Sequence, residues 1–195
     1  EKQAFDGAIK RYTGMKSYPN IPKVCFWNVS AIHEKVLEII NGKDNNRVYD
    51  IVSCQFSLHY FVNDIDTLLT MVSNKLKSGG YFIGTATDGD LIECNLKNGD
   101  IDNDILKIIK TSDDDYTFEL FSEETNRETY FQINGVSKEY FLRKQYLINK
   151  CNEYNLQPIS VLNFHEWKKD YKQYSLTQHE ELASFLNFSF IFIKL

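Results

Sequence analysis

Four side chains suited to chemistry follow one short apolar run. Residues 50–54 form the run, and Gln55, Phe56, His59 and Tyr60 come directly after it. Amide and imidazole groups hydrogen-bond the edges of a base, and flat aromatic rings stack on its face. The combination favours a purine-binding pocket. The residues alone leave open a second interpretation, a core aromatic cluster around a histidine with satisfied hydrogen bonds.

The cysteines indicate neither a metal site nor a redox site. Cys25, Cys54, Cys94 and Cys151 contain no C-x-x-C pair, so no zinc knuckle or redox motif is recognisable. We expect buried free thiols, which implies a reducing compartment. No run of about 18 apolar residues occurs, so we predict no membrane span.

The composition narrows the function classes further. Of 195 residues, 43% are hydrophobic and 14% are aromatic, which argues against a disordered chain. The formal net charge is −5. A general polyanion binder needs clustered Lys and Arg, so the acidic balance argues against that class. Recognition of a single nucleotide in a pocket remains open.

Hydrophobic periodicity predicts an alternation of helices and strands in a single domain. The expected order is a helix at 2–16, a strand at 23–27, a helix at 31–40, a strand at 48–54, a helix at 64–76 and a strand at 81–85. Residues 86–128 look irregular, with a solvated acidic loop at 113–115. Further expected elements are a strand at 129–133, a helix at 138–154, and strands at 158–164 and 185–193.

This alternation predicts an α/β fold with a doubly wound sheet. Ligands of open α/β sheets lie beyond the carboxyl ends of the strands. Residues 28–30, 55–60 and 85–90 occupy that rim. The site is therefore expected among these three stretches.

Two blocks resemble the mRNA cap guanine-N7 methyltransferases. They are QFSLHY at residues 55–60 and LKSGGYFIGT at residues 76–85, and their separation is similar to that of the family. The first block is fairly specific, whereas the second is generic among methyltransferases. Residues 85–90 are most similar to the capping enzymes of large cytoplasmic DNA viruses. The resemblance continues at residues 139–142 and 190–195, so it covers nearly the whole chain.

The resemblance implies a class I S-adenosylmethionine (SAM)-dependent methyltransferase. Its fold would be Rossmann-like, with a mostly parallel sheet and an antiparallel C-terminal strand. The implied reaction transfers methyl from SAM to guanine N7 of the 5′ GpppN cap, leaving S-adenosylhomocysteine and using no metal. The implied partner is capped RNA, with other capping-enzyme domains or a stimulatory subunit as further candidates, and no membrane. The implied location is cytoplasmic, in the virion or host cytoplasm if the protein is viral.

The same resemblance assigns residues on the cofactor side. Asn28 corresponds to an acidic residue near the adenine of SAM, and Val29 adjoins it. Gln55 and Phe56 correspond to residues that line the floor between the two ligands.

On the cap side, His59 and Tyr60 correspond to residues that contact the guanine. Glu139 corresponds to a carboxylate that accepts from guanine N1–H and N2–H. Tyr130 or its neighbour Phe131 would supply a stacking ring. Guanine N7 carries no proton, so no general acid or base is assigned, and His59, Tyr60 and Glu139 act by positioning.

Arg11, with Lys10 beside it, is a candidate for the cap triphosphate because a guanidinium fork suits phosphate. The alternative is a solvated helix face.

Two departures accompany the resemblance. A family tyrosine near the C-terminus corresponds to Asn187; either Phe185 or Phe188 substitutes for it, or the pocket differs from that of the family. The D-x-G-x-G-x-G loop and the acidic residue for the SAM ribose have no counterpart here. Residues 1–195 are therefore expected to be the C-terminal two-thirds of one methyltransferase domain, lacking the N-terminal strand and Gly-rich loop.

Two other functions remain open at this point. One is a SAM-dependent methyltransferase acting on a small molecule. The other is a noncatalytic, methyltransferase-like subunit of a capping complex.

Overall fold

The computed structural model describes residues 2–15, 24–121, 136–170 and 175–195, and for residues 2–5 only the backbone. Its helices are α1 (Lys2–Met15), α2 (Val36–Asp44), α3 (Ile65–Lys75), α4 (Gly89–Leu96), α5 (Lys144–Glu153) and α6 (Gln178–Phe185). Its strands are β1 (Tyr49–Gln55), β2 (Leu76–Thr87), β3 (Ile101–Asp102), β4 (Leu106–Lys110), β5 (Asp115–Leu120), β6 (Ser137–Tyr140), β7 (Leu156–Asn163) and β8 (Asn187–Lys194). Two 3₁₀-helices span Leu58–Asp64 and Phe164–Asp170.

The main sheet has the strand order β1-β2-β8-β7. The β1 and β2 strands are parallel, and β8 runs antiparallel to both β2 and β7. Three strands therefore share one direction and the C-terminal strand opposes them. This confirms the predicted mostly parallel sheet with an antiparallel C-terminal strand.

One face of this sheet forms the larger hydrophobic core. Alternate residues of β8, Phe188, Phe190 and Phe192, are fully or almost fully buried there, as is Phe82 of β2. Strand side chains alternate between faces, so the intervening residues lie on the other side. That other side is more open, since Ile51, Tyr81 and Ile191 are 55%, 41% and 38% exposed. Helices α3 and α5 bury their apolar side chains in the same core.

Gly84 permits the close packing at the centre of the main sheet. A Cβ at this position would lie 2.0 Å from the carbonyl oxygen of Cys54 and 2.4 Å from the ring of Phe190. Both distances are far below van der Waals contact, so only glycine fits between β1 and the β8 phenylalanine.

A second, antiparallel sheet has the order β3-β4-β5-β6. It encloses a smaller core that includes Ile92 of α4, Ile108 of β4 and Tyr116 of β5. The sequence predicts irregular structure for residues 86–128, and that prediction is wrong for this sheet. Asp113 is exposed as expected, but Asp115 begins β5, is 8% exposed and pairs with Lys138 at 2.9 Å.

Several predicted elements are wrong in position or type. Residues 24–30 form no strand, because no strand in the described ranges pairs with them. The helix expected at 31–40 begins at Val36. The strand expected at 129–133 lies outside the described residues.

The helix expected at 138–154 is divided in two. Its first residues belong to β6, which pairs with β5 so that Glu139 lies opposite Tyr116. The helix proper, α5, begins only at Lys144. Apolar spacing alone does not distinguish a helix from a strand here, because strand pairing overrides helical periodicity.

The prediction of buried free thiols is confirmed for the free state of the four cysteines but not for the burial of all of them. All four thiols are free, but Cys25 and Cys94 are exposed, Cys54 is partly buried and Cys151 is buried. Within the described residues, no helix is both long and apolar enough to cross a membrane.

Candidate functional site

The two sheets meet at the carboxyl ends of β1 and β2, the rim where the sequence predicted a site. Six side chains converge there and are called the Glu139 cluster: His59, Tyr60, Thr87, Tyr116, Ser137 and Glu139. His59 and Tyr60 come from the 3₁₀-helix after β1, and Thr87 ends β2. Tyr116 belongs to β5, and Ser137 and Glu139 belong to β6, so four elements far apart in the sequence supply one cluster.

Glu139 is the centre of the cluster. Its side chain is 4% exposed, and each carboxylate oxygen accepts a hydrogen bond from a tyrosine hydroxyl. Tyr60 donates to Oε1 at 3.1 Å, and Tyr116 donates to Oε2 at 2.9 Å. The structure therefore brings together Tyr60 and Glu139, which the sequence predicted as guanine contacts.

Tyr116 and Thr87 were not among the predicted site residues. Tyr116 is fully buried, and its hydroxyl lies 2.8 Å from Thr87 Oγ1 as well as bonding to Glu139. A sequence signal existed, because residues 115–120 alternate polar and apolar in the pattern of a half-buried strand. Recognising that strand would have identified Tyr116 as an inward-facing residue, but its place beside Glu139 depends on the pairing of β5 with β6.

His59 is the third predicted guanine contact and also belongs to the cluster. It is 2% exposed, its ring centroid lies 4.3 Å from that of Tyr60, and its Nε2 lies 3.5 Å from Glu139 Oε2. Within the described residues, neither ring nitrogen has a hydrogen-bond partner. Buried polar atoms are rarely left unpaired, which singles out this imidazole as a candidate functional group.

Burial controls the protonation of the cluster. It raises the pKa of Glu139 to about 7, although the hydrogen bonds from Tyr116 and Tyr60 oppose the shift. Burial lowers the pKa of His59 to about 4. An imidazolium here would have no hydrogen-bond acceptor in the described ranges beyond the carboxylate 3.5 Å away, so we take His59 as neutral. The cluster then carries one titratable negative charge near neutral pH.

Gln55 is the last residue of β1, and Phe56 follows it. The Gln55 amide donates to Ser53 Oγ at 2.9 Å and its oxygen accepts from Thr85 Oγ1 at 2.9 Å. Phe56 has a left-handed backbone with φ of 48°, and its ring is 51% exposed. That conformation is costly for a non-glycine residue and typically marks functional turns. It presents an aromatic face at the rim.

A pocket of about 660 Å³ opens on the side of the main sheet opposite the large core. Gln55, Thr85 and Phe185 are among the residues that line it. Phe188 is buried in the core, whereas Phe185 lines the pocket. Asn187 donates to the carbonyls of Ala183 and Ser184 at the end of α6.

The remaining predicted residues are not joined to this cluster. Asn28 is exposed and Val29 half-buried in the irregular segment before α2, and Arg11 is exposed on α1. None of the three is a hydrogen-bond partner of the cluster in the described part of the chain. Tyr130 and Phe131 lie outside the described residues. Among the side chains described, no group of three or more His, Cys, Asp or Glu is arranged to hold a metal ion.

The model of the mRNA (guanine-N(7))-methyltransferase domain matches residues 3–186 of the chain. The chain belongs to this family. The match extends from α1 through α6, so it includes the small sheet, strands β1, β2 and β7 of the main sheet and every residue of the Glu139 cluster, and it ends just before β8.

Curated relatives agree with the family. An mRNA cap guanine-N(7) methyltransferase of Caenorhabditis briggsae is 32% identical over 170 residues, which is 82% of this chain and 43% of the relative. A probable mRNA-capping enzyme of Acanthamoeba polyphaga mimivirus is 28% identical over an alignment covering 92% of this chain and 19% of the relative. The chain thus spans less than half the length of these relatives.

Solved structures support the fold. A SAM-dependent methyltransferase of Clostridium acetobutylicum matches with a TM-score of 0.57 at 14% identity, covering 97% of this chain and 71% of that chain. A SAM-dependent methyltransferase from Methanosarcina mazei matches with a TM-score of 0.53 at 13% identity, covering 100% of this chain and 79% of that chain. The chain therefore has the fold of class I SAM-dependent methyltransferases, as the family resemblance predicted.

Proposed function

We propose that this chain transfers a methyl group from SAM to N7 of the guanine in the 5′ cap of RNA. The observation that carries the proposal is Glu139, a buried carboxylate at the strand rim of a chain in the cap methyltransferase family. Guanine presents two adjacent donors, N1–H and N2–H, and a carboxylate accepts both.

The role of Glu139 depends on its charge. An ionised carboxylate attracts the guanine edge, and the attraction increases as positive charge develops on the base during methylation. The surrounding burial strengthens that interaction because few solvent dipoles screen it. The protonated carboxyl has lost part of its acceptor capacity, so the reaction should weaken below the pKa of about 7.

The other residues position the base and exclude water. His59 and Tyr60 place two rings beside Glu139, and Phe56 offers an exposed ring at the same rim. Guanine N7 has a lone pair and no proton, so no residue needs to act as a general base. Rate enhancement then comes from holding the acceptor atom in line with the methyl donor.

SAM is proposed as the methyl donor, supported by the fold and the family. When bound, it supplies a methyl group on a positively charged sulfur. Gln55 and Phe56 fit a role beside it, since Gln55 ends β1 at the rim and Phe56, the next residue, exposes its ring there. Asn28 and Val29 remain candidates for the adenine, and Arg11 for the cap triphosphate.

The test compares Glu139→Gln with Glu119→Gln, a matched change on β5 of the same small sheet. Methyl transfer from SAM to GpppN-capped RNA should fall about a hundredfold for Glu139→Gln, because hydrogen bonds to charged groups contribute roughly 1.5–3 kcal/mol each. SAM binding should be unchanged, and Glu119→Gln should behave as the wild type. An unchanged methylation rate for Glu139→Gln would remove Glu139 from the proposal.

The proposal extends to the setting of the reaction. We infer that the substrate is the capped 5′ end of RNA and that other capping-enzyme domains act with this chain. The mimivirus relative, named a probable mRNA-capping enzyme, supports this and a viral setting, for which we infer a cytoplasmic location. Recovery of triphosphatase or guanylyltransferase activity with the purified full-length protein tests it, and its absence would contradict the proposed partners.

We also infer that residues 1–195 are the C-terminal two-thirds of a methyltransferase domain. The solved neighbours support this, since the chain is covered almost completely yet spans 71% and 79% of two of them. The exposed Ile51, Tyr81 and Ile191 on the open sheet face are consistent with a further covering segment. Reading the gene upstream of the Glu1 codon tests the inference; an in-frame D-x-G-x-G motif is expected, and a stop codon there would contradict it.

A further inference from the structure

We propose that Tyr116 is a positioning residue that fixes the Glu139 carboxylate for guanine, with Thr87 orienting the Tyr116 hydroxyl. The inference rests on the proposed function and concerns how the same site selects its base. The two tyrosines that bond to Glu139 differ in burial, and this difference supports the proposal.

The hydrogen bonds around Tyr116 have only one consistent direction. A phenolic hydroxyl has a single proton, and Tyr116 donates it to Glu139 Oε2 at 2.9 Å. Thr87 Oγ1, 2.8 Å from the same hydroxyl, must then be the donor in that contact. Donation therefore runs from Thr87 through Tyr116 to the carboxylate, linking the end of the main sheet to the small sheet.

Tyr116 and Tyr60 differ in their freedom to move. Tyr116 is fully buried and packs against Phe141 with ring centroids 4.9 Å apart. Tyr60 is 39% exposed, and its hydroxyl is also 2.8 Å from Ser137 Oγ. An arriving base edge can displace Tyr60 from Oε1 toward Ser137, whereas the packed ring of Tyr116 has no comparable freedom.

The fixed donor leaves acceptor capacity for the ligand. Each carboxylate oxygen has two lone pairs, so Oε2 can accept from Tyr116 and from the base at the same time. A donor on one lone pair restricts rotation of the carboxylate about its last bond. The plane of Glu139 is then set before guanine binds, and preorganised acceptors discriminate between bases better than mobile ones.

Tyr116 also favours the charged form that the base requires. Its hydrogen bond is the main interaction opposing the burial that raises the pKa of Glu139. The titratable groups facing this carboxyl in the described ranges are His59, Tyr60 and Tyr116. Loss of the Tyr116 hydroxyl therefore raises the pKa of Glu139 and shifts ionisation to higher pH.

The decisive variant is Tyr116→Phe in the full-length protein, which keeps the ring and removes one oxygen. Methylation of RNA with a GpppN cap should fall about ten- to a hundredfold near neutral pH. The acid limb of the pH–rate profile should move to higher pH. The preference for GpppN over IpppN caps should narrow, because hypoxanthine lacks the N2 amino group that a fixed carboxylate reads. Thr87→Val should change all three readouts in the same direction but by a smaller amount.

Tyr140→Phe is the matched control, one residue beyond Glu139 on β6, with its ring under Lys138 at 5.8 Å. It should leave the rate, the pH limb and the base preference unchanged. A merely structural role for Tyr116 would lower stability without moving the pH limb or the guanine-to-hypoxanthine ratio, and that result would overturn the inference. If the wild type fails to methylate GpppN RNA in the presence of SAM, the proposed function itself fails.

Discussion

The core of the main sheet and the Glu139 cluster are both buried, yet they are stabilised in opposite ways. The core is built from phenylalanine rings, with Phe82 and Phe190 at 5.0 Å between centroids and Phe190 and Phe192 at 5.7 Å. The cluster consists of hydroxyls and an imidazole around one carboxylate. Apolar packing tolerates exchange among shapes of similar volume, whereas a buried polar cluster depends on every donor. Substitutions in the core should therefore affect folding, and substitutions in the cluster should affect chemistry.

The largest change in stability should come from the core. Phe190→Ala removes a ring in contact with Phe82, Phe188 and Phe192, and should lower the free energy of unfolding by about 3–5 kcal/mol. Phe190→Leu should lose less, because more of the volume is kept. Urea denaturation measures both. A loss below about 1 kcal/mol for Phe190→Ala would mean that the rings are not the main support of the sheet.

The second effect is the pH dependence of stability, and it separates two members of the cluster. Glu139 has a pKa of about 7 when folded against 4.5 ordinarily, so the folded state binds more protons between these values. Its contribution to stability therefore decreases as pH rises through 7. His59 has a pKa of about 4 against 6.5, so its contribution is lost as pH falls through that window. Each slope is at most about 1.4 kcal/mol per pH unit, and the two oppose each other between pH 4.5 and 6.5.

Paired variants expose these opposing slopes. Relative to the wild type, Glu139→Gln should become steadily more stable as pH rises from 4.5 to 7, because the variant lacks the Glu139 contribution that the wild type loses over this range. His59→Phe should show the reverse trend between pH 4 and 6.5. Thermal or urea unfolding of the three proteins at several pH values measures the differences. Parallel curves for all three would show that the two groups are not desolvated as the structure indicates.

The smallest effect should come from the surface. Lys150 on α5 pairs with Asp66 at 3.0 Å and with Glu153 at 3.1 Å, and both carboxylates are more than half exposed. Such pairs contribute little because water and salt screen them. Lys150→Met should change the free energy of unfolding by no more than about 0.5 kcal/mol. A loss comparable to that of Phe190→Ala would mean that stability does not divide between core and surface as described.

The sequence predicted the main sheet better than the small one. The strands near residues 48–54 and 185–193, and the helix near 64–76, are continuous apolar or amphipathic segments, and all three are confirmed within a few residues. The small sheet consists of strands of two to six residues whose pairing is decided by tertiary contacts. Short strands carry weak periodic signals, so β6 was interpreted as the start of a helix.

The same limit explains which residues of the site could be predicted from the sequence. Tyr60 and Glu139 were predicted from a family resemblance, and the structure brings them within hydrogen-bond distance. Tyr116 was missed because its role exists only through the pairing of β5 with β6. Arg11 and Asn28 remain predictions, since their proposed partners are ligands and not residues of the described chain.

The unpaired nitrogens of His59 have a consequence for how the site can be observed. Within the described residues neither ring nitrogen makes a hydrogen bond, and Glu139 Oε2, 3.5 Å from Nε2, is the acceptor nearest to the ring. A ligand that bonds to either nitrogen will therefore change the electronic environment of the imidazole. Nitrogen-15 chemical shifts of this single side chain would then report occupancy of the site directly, by a spectroscopic signal independent of turnover.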